Sequence, residues 1–288
     1  MSNTQSIELE NVTLSCSIAG DGPLVICAHG FPDDARTFRH QVAPLVARGF
    51  RVVCPTMRGY APSGIAHDAR YDAEALARDL CGLADHFSPN APVRLVGHDW
   101  GAVAAYAATA MAPHRFSHVV TMAVPHLRST APRLLLPDQM RRSWYIWMFQ
   151  LRTIAEMRLA EDDLALIDRL WRDWSPSYGP AKEDLDLIKR GIASRMPEVL
   201  GYYRAFFSKA SLFGTPRQLL LAKTTVPALY IHGEEDGCVG VGLADGMEQH
   251  FTAGISIHRI PGAGHFVHLE KPNVVNPILV DFLGPSSR

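Results

Sequence analysis

Three things are scarce in this chain, and each scarcity removes a class of function. Cysteine is the first. There are five, Cys16, Cys27, Cys54, Cys81 and Cys238, and no pair has C-x-x-C spacing. That pattern argues against a disulfide frame or a zinc site. Three of the five stand in or beside strand-like apolar runs, as buried, reduced thiols of a cytoplasmic protein would. Net charge is the second: at −1 over 288 residues it gives no electrostatic case for nucleic acid or an anionic membrane as a partner. Long apolar runs are the third. No stretch approaches ~18 uninterrupted apolar residues, so no membrane span is expected. The segment from Met1 to Val12 is polar and lacks the apolar core of a signal peptide. Internal repeats and low-complexity segments are also missing.

What is present reads as an α/β protein. Hydrophobic residues make up 47% and charged residues 20%, ordinary values for a globular chain long enough for one sizeable core or two smaller ones. The runs Pro23 to Ala28, Arg51 to Pro55, Val93 to Gly97, His118 to Val124, Pro227 to Gly233 and Ile255 to Ile260 look like strands buried on both faces, the signature of a parallel sheet. Helical patterns lie between most of them, at Ala35 to Ala47, Ala73 to His86, Ala102 to Ala112, Leu243 to Phe251 and Val274 to Leu283. This alternation implies right-handed crossovers and a doubly wound sheet. It breaks between Pro125 and Lys223, a helical stretch holding four of the five tryptophans. The expected organisation is a core of residues 1–125 and 223–288 with a helical cap, 126–222, inserted over the sheet's carboxyl edge, where open α/β folds bind ligands.

Several short motifs fall at that edge. In LVGHDWGA, Leu95 to Ala102, a buried strand turns through Gly97 and Gly101 into an Ala-rich run, with Asp99 at the tip. Such a turn holds up a nucleophile, commonly serine. Asp99 as a simple helix cap is the plain alternative. The flanking glycines and the free N–H groups of the next helix favour a presented carboxylate. HGFP, His29 to Pro32, follows the first buried strand and can aim the backbone N–H of Phe31 at the turn. With the N–H of Trp100 it would form an oxyanion hole. EEDGC, Glu234 to Cys238, and GAGHF, Gly262 to Phe266, each follow a buried strand and place Asp236 and His265 at the same edge. The order nucleophile, acid, histidine suits this type of sheet. Glu234 and Glu235 are rival acids, but GxxD spacing favours Asp236. His268 and Glu270 are expected at the start of the last helix.

With these motifs in place the sequence resembles the α/β-hydrolase fold family, and within it the soluble epoxide hydrolases, close to haloalkane dehalogenases. The resemblance covers nearly the whole chain. It is carried by HGFP with Arg39 to Gln41, MRGYAPSG (Met57 to Gly64), GHDWG, SWYIWMFQ (Ser143 to Gln150), GYYRA (Gly201 to Ala205) and GAGHFVHLEKP. It implies two cap tyrosines that hold an epoxide oxygen, matched here by Tyr145 and Tyr203. Without it, both would read as core aromatics, and Tyr202 could not be separated from Tyr203. His29, Trp144 and Trp147 are expected to bind substrate beside them. Two departures bear on pocket shape: Pro32 leads into Asp33, Asp34 and Ala35 where relatives often carry an aromatic, and Ala61–Pro62 stands where Gly-Asp is usual.

A carboxylate nucleophile suits displacement at an sp³ carbon, forming an alkyl-enzyme ester that water then hydrolyses. The resemblance therefore implies a cytoplasmic hydrolase that takes a small apolar epoxide and water to a vicinal diol, with no metal or organic cofactor. The alternative within the same chemistry is a haloalkane dehalogenase. Trp100 meets one of its halide-donor requirements, but Phe31 stands where its Asn would be, and the cap supplies tyrosines. A fluoroacetate-type enzyme would want arginine near the nucleophile. An ester or lactone hydrolase with Asp99 as general base and a receptor that kept the pocket are the remaining rivals. The complete set of Asp99, Asp236 and His265 argues against the receptor.

Overall fold

The computed structural model describes residues 3–284. These form an eight-stranded sheet in the order β1-β2-β4-β3-β5-β6-β7-β8. The strands are β1 Asn3–Glu8, β2 Thr13–Ala19, β3 Leu24–Ala28, β4 Arg51–Pro55, β5 Val93–His98, β6 Phe116–Met122, β7 Ala228–Gly233 and β8 Ile255–Ile260. Neighbours from β4 to β8 pair in parallel, while β1–β2 and β2–β4 pair antiparallel. β3, β5 and β7 are buried at every position, because helices cover both faces; β8, expected to be buried in the same way, is the edge strand and is buried only at Ile260. The β1–β2 hairpin was not foreseen. β1 exposes five of its six residues and carries the polar string NTQSIE, so it has no apolar run to announce it.

Two clusters of buried side chains sandwich the sheet. One joins Val25, Cys27 and Val96 to Leu45 of helix α1 (Arg39–Ala47) and to Leu279 and Leu283 of the C-terminal helix Pro272–Leu283. The other joins Ile26, Leu95 and Val119 to Leu76 and Leu80 of α2 (Ala73–Phe87) and to Ala104 and Ala108 of α3 (Trp100–Met111), and continues into the segment that follows β6. Helix α2 is capped as its sequence suggests: the Asp72 carboxylate accepts from the N–H groups of Glu74 and Ala75. The helix expected at Leu243 to Phe251 is instead two short 3₁₀ turns, Val241–Ala244 and Met247–His250. Gly246, at φ +76°, breaks it. His268 and Glu270 lie in a separate turn, Val267–Glu270, ahead of the C-terminal helix. Between β6 and β7 the regular elements are all helical, from Leu127–Thr130 to Thr215–Leu221. All five cysteines are free, and four are buried.

Candidate active site

Three strand ends converge. At the first, β5 passes into α3 through Asp99, whose backbone sits at φ 51° and ψ −118°. A non-glycine residue held there stores ~1–3 kcal/mol of strain. The turn is possible because Gly97 and Gly101 are bare. A Cβ on Gly101 would strike the Ala28 carbonyl and come within 2.9 Å of the His29 oxygen. The Asp99 side chain makes no capping bond to α3. Its Oδ1 instead accepts the backbone N–H of Phe31 at 2.7 Å. Gly30 permits this approach, since a Cβ there would run into the Asp99 carboxylate and lie 2.6 Å from the Trp100 nitrogen. That nitrogen opens α3, and by position its N–H has no intrahelical acceptor.

The second and third strand ends bring Asp236 and His265 together. Asp236 Oδ2 lies 2.9 Å from His265 Nδ1, and the opposite ring nitrogen faces Asp99 Oδ2 at 3.7 Å. That Nε2 has no hydrogen-bond partner among the described residues. Asp236 Oδ1 accepts the N–H groups of Cys238 and Val239 at 2.7 and 2.8 Å. The rival acids face elsewhere: Glu235, for instance, accepts from the Ser177 hydroxyl. The His265 loop is tied down from both sides. Its N–H donates to the Trp174 carbonyl, and Glu270 accepts from Gly264 N–H and from the Ser175 hydroxyl.

One member of this cluster escaped the sequence. His232, on β7, sits 3.0 Å from Asp236 Oδ2 through Nε2, while the Tyr230 hydroxyl lies 2.6 Å from its Nδ1. With Tyr230 donating to Nδ1, the proton sits on Nε2 and is donated to the carboxylate. The signal was present in IHGEED, where the histidine stands four residues before the acid, but it read as the tail of a buried strand.

The electrostatics follow from this wiring. Burial opposes the His265 charge, but the carboxylates of Asp236 and Asp99 outweigh it and raise its pKa to about 10. Burial would raise both aspartates as well. His265 and the Phe31 N–H hold Asp99 below the ordinary carboxylate value, and His265 with His232 holds Asp236 well below it. Both acids are therefore ionised at neutral pH.

Tyr145, from the helix Trp144–Met148, and Tyr203, from the helix Met196–Phe206, share a cavity with Asp99. Their rings are 5.7 Å apart, and both side chains line a cavity of about 270 Å³ together with Asp99 and Trp100. Burial pushes both hydroxyls well above their usual pKa, so they stay protonated donors. Tyr145 pairs with the Cys238 sulfur at 3.2 Å. The Tyr203 hydroxyl has no partner among the described residues. Tyr202 is separated by geometry, since its hydroxyl donates to the Arg58 carbonyl at 2.7 Å. The helix Pro137–Arg142 latches onto the acid loop, with Gln139 donating to the Cys238 carbonyl and accepting the Gly240 N–H.

The remaining expected pocket residues divide. Trp147 lines the cavity and stacks near Phe207, half exposed at its rim. Trp144 does not line it; its ring lies under the Arg169 guanidinium, one layer behind Tyr145. His29 does not reach it either. Its Nε2 accepts the Met57 N–H at 2.9 Å, and its Nδ1 faces the Gly30 carbonyl, so both nitrogens are committed to backbone. Asp236, Cys238 and His265 bring potential metal donors within 4.8 Å of one another. Those atoms are already spent: the carboxylate takes two N–H groups and two imidazoles, and burial pushes the Cys238 thiol well above its usual pKa.

A sheet of this order, with a helical insertion after β6 and a sharp strand–helix turn at β5, defines an α/β hydrolase. Residues 23–272 match the alpha/beta hydrolase fold family, and the chain belongs to it. It is 32% identical over 293 residues to the AB hydrolase superfamily protein YfhM of Bacillus subtilis, covering 97% of each chain. It is 30% identical over 313 residues to epoxide hydrolase A of Mycobacterium tuberculosis, covering 96% of each. Among solved structures it resembles epoxide hydrolase A of Mycobacterium thermoresistibile (TM-score 0.83, 28% identity, 98% of both chains). It also resembles the epoxide hydrolase of Bacillus megaterium bound to an inhibitor (TM-score 0.85, 25% identity, 97% of this chain and 99% of that one). No helix among the described residues is long and apolar enough to cross a membrane.

Proposed function

We propose that the protein is an epoxide hydrolase that opens an apolar epoxide to a vicinal diol in two chemical halves. The observation that carries this reading is the pair of buried tyrosines, Tyr145 and Tyr203, lining the same apolar cavity as Asp99. In the first half an Asp99 oxygen attacks a ring carbon and the ring C–O bond breaks. The tyrosines stabilise the departing oxygen and protonate it, help worth ~10²–10⁴-fold. The product is an ester on Asp99.

Ester formation removes the Asp99 charge. One of the two carboxylates that hold the His265 proton is then gone, and the imidazole can pass that proton to the tyrosinate left by ring opening and act as a base. This accounts for a base whose resting pKa is about 10. In the second half His265, held by Asp236, deprotonates a water that attacks the ester carbonyl carbon. The N–H groups of Phe31 and Trp100 receive the oxyanion. Collapse sends the water's second proton to the leaving alkoxide, releases the diol, restores the Asp99 carboxylate and leaves the first proton on His265, which is back in its resting charged form. The segment 126–222 acts as the cap that supplies both tyrosines and keeps the site dry. Similarity to the epoxide hydrolases of Mycobacterium tuberculosis, Mycobacterium thermoresistibile and Bacillus megaterium supports the same reading.

Dehalogenation is disfavoured by the neighbourhood of Trp100. Its indole N–H is buried without a partner among the described residues, but the second donor position is taken by Phe31, whose ring packs on Phe149 and Tyr203. The deciding experiment assays the purified protein against aryl epoxides, alkyl epoxides and haloalkanes, measuring diol and halide. Diol without halide is expected; halide without diol would transfer the assignment to the dehalogenases.

A further inference from the structure

The space around Asp99 is lopsided. The cavity is lined by Asp99, Trp100, Tyr203, Leu127, Leu134 and Leu220, among other apolar groups. The opposite flank is solid. Phe31, Phe149 and Trp174 are each at most 1% exposed, and none of them lines the cavity. Phe31 meets Phe149 edge to face at 5.7 Å and Trp174 at 6.2 Å. Tyr203 lies 5.0 Å from Phe149, and Tyr145 lies 4.9 Å from Trp174. The two tyrosines therefore stand on the boundary between open space and a close-packed aromatic wall. Interiors of that kind do not take an added methyl without displacing a neighbour.

Both hydroxyls are needed on the ring oxygen, and Asp99 must approach from the other side. That arrangement leaves the two ring carbons pointing to opposite flanks. We infer that this chain acts on epoxides substituted at one ring carbon only, with Phe149 as the residue that excludes a substituent on the other. The inference rests on the epoxide-hydrolase reading above and adds the substrate class. Size fits as well. A cavity of ~150 Å³ holds a benzene ring, so about 270 Å³ takes a ring with a short chain.

The test compares kcat/KM for styrene oxide, α-methylstyrene oxide and trans-β-methylstyrene oxide. The last two are isomers that differ only in which ring carbon bears the methyl. The β-methyl isomer is expected to be at least about 100-fold poorer than styrene oxide, and the α-methyl isomer within about tenfold of it. Phe149→Ala is expected to narrow the β-methyl penalty by about tenfold or more, with Phe149→Leu as the milder opening should the alanine variant fail to fold. Equal turnover of the two isomers by the wild type overturns the inference and leaves the epoxide-hydrolase reading standing. A folded Phe149 variant that keeps the full penalty overturns the assignment of the wall to Phe149. No diol from any epoxide overturns the underlying reading itself.

Discussion

If Asp99 is a nucleophile, removing His265 stops only the second half of the reaction. His265→Gln keeps a similar volume and can still accept or donate a hydrogen bond toward Asp236, but it supplies no base. The structure sets the size of the loss. Asp236 lies behind the imidazole, is held well below the ordinary carboxylate value and is saturated by donors. His98, the neighbouring imidazole, has a pKa lowered to about 3 by burial and spends its Nε2 on the His265 carbonyl. Neither can replace His265, so ester hydrolysis is expected to fall by ~10⁴-fold, the upper end for a general base. Attack by Asp99 keeps its Phe31 N–H and both tyrosines, so the ester accumulates. Intact-mass spectrometry of the variant with excess styrene oxide is expected to show one added substrate mass, mapping to the peptide that contains Asp99. In a single wild-type turnover in ¹⁸O-water, the heavy oxygen is expected in Asp99 before it appears in diol. A variant that has lost turnover yet carries no adduct, or a wild type that labels only the diol, would refute nucleophilic attack by Asp99.

Three further outcomes follow from the same geometry. Tyr145→Phe and Tyr203→Phe should each cost about 10–100-fold in kcat, the net worth of one charge-assisted hydrogen bond, and the double variant ~10⁴-fold; unchanged circular dichroism would show the fold intact. Thermal stability should depend on His265: its pKa is raised from an ordinary 6.5 to about 10, so the stabilisation it gives is fully present below 6.5 and is lost as pH rises through about 10. Melting scans across that window should show a decline in the wild type that His265→Gln lacks. Gly101→Ala should destabilise the fold by about 3 kcal/mol or more, because its methyl would press on backbone carbonyls of β3 and the following turn that cannot swing aside; urea unfolding measures it.

What could be read beforehand divides along physical lines. Strands buried on both faces announce themselves as largely apolar runs, so five of them and the sheet class were legible; ISIHRI was read the same way, but as the edge strand β8 it is buried only at Ile260. The β1–β2 hairpin was not, because a polar edge strand such as NTQSIE looks like a loop until its partner is known. Asp99 was legible because its two glycines serve no purpose in an ordinary cap. Tyr203 against Tyr202 was settled only by resemblance, since adjacent helix positions differ in direction and not in chemistry. The structure supplies the cause: Tyr202 turns to the Arg58 carbonyl and Tyr203 to the cavity. His29 misled in the opposite way. A histidine beside the first turn reads as a ligand contact, yet its two nitrogens fasten the β3 turn to the Met57 loop.

If the reaction runs through an Asp99 ester as proposed, the site uses one charge twice. A buried carboxylate is costly unless it is paired, and here the pairing groups are the ones the second step requires. His265 faces Asp99 at 3.7 Å, beyond hydrogen-bond length, while its other nitrogen is held at 2.9 Å by Asp236. The asymmetry matters. A short bond to Asp99 would tie up the Nε2 that must later reach a water, whereas a looser charge pair keeps Asp99 ionised and leaves that nitrogen uncommitted. Asp236 has to be the tighter partner, because it must hold the ring after Asp99 has become neutral. His232 and the two N–H groups of Cys238 and Val239 keep that acid ionised throughout. On the proposed mechanism, His232, which sequence reading missed, donates to Asp236 so that Asp236 can hold His265 through the loss of the Asp99 charge.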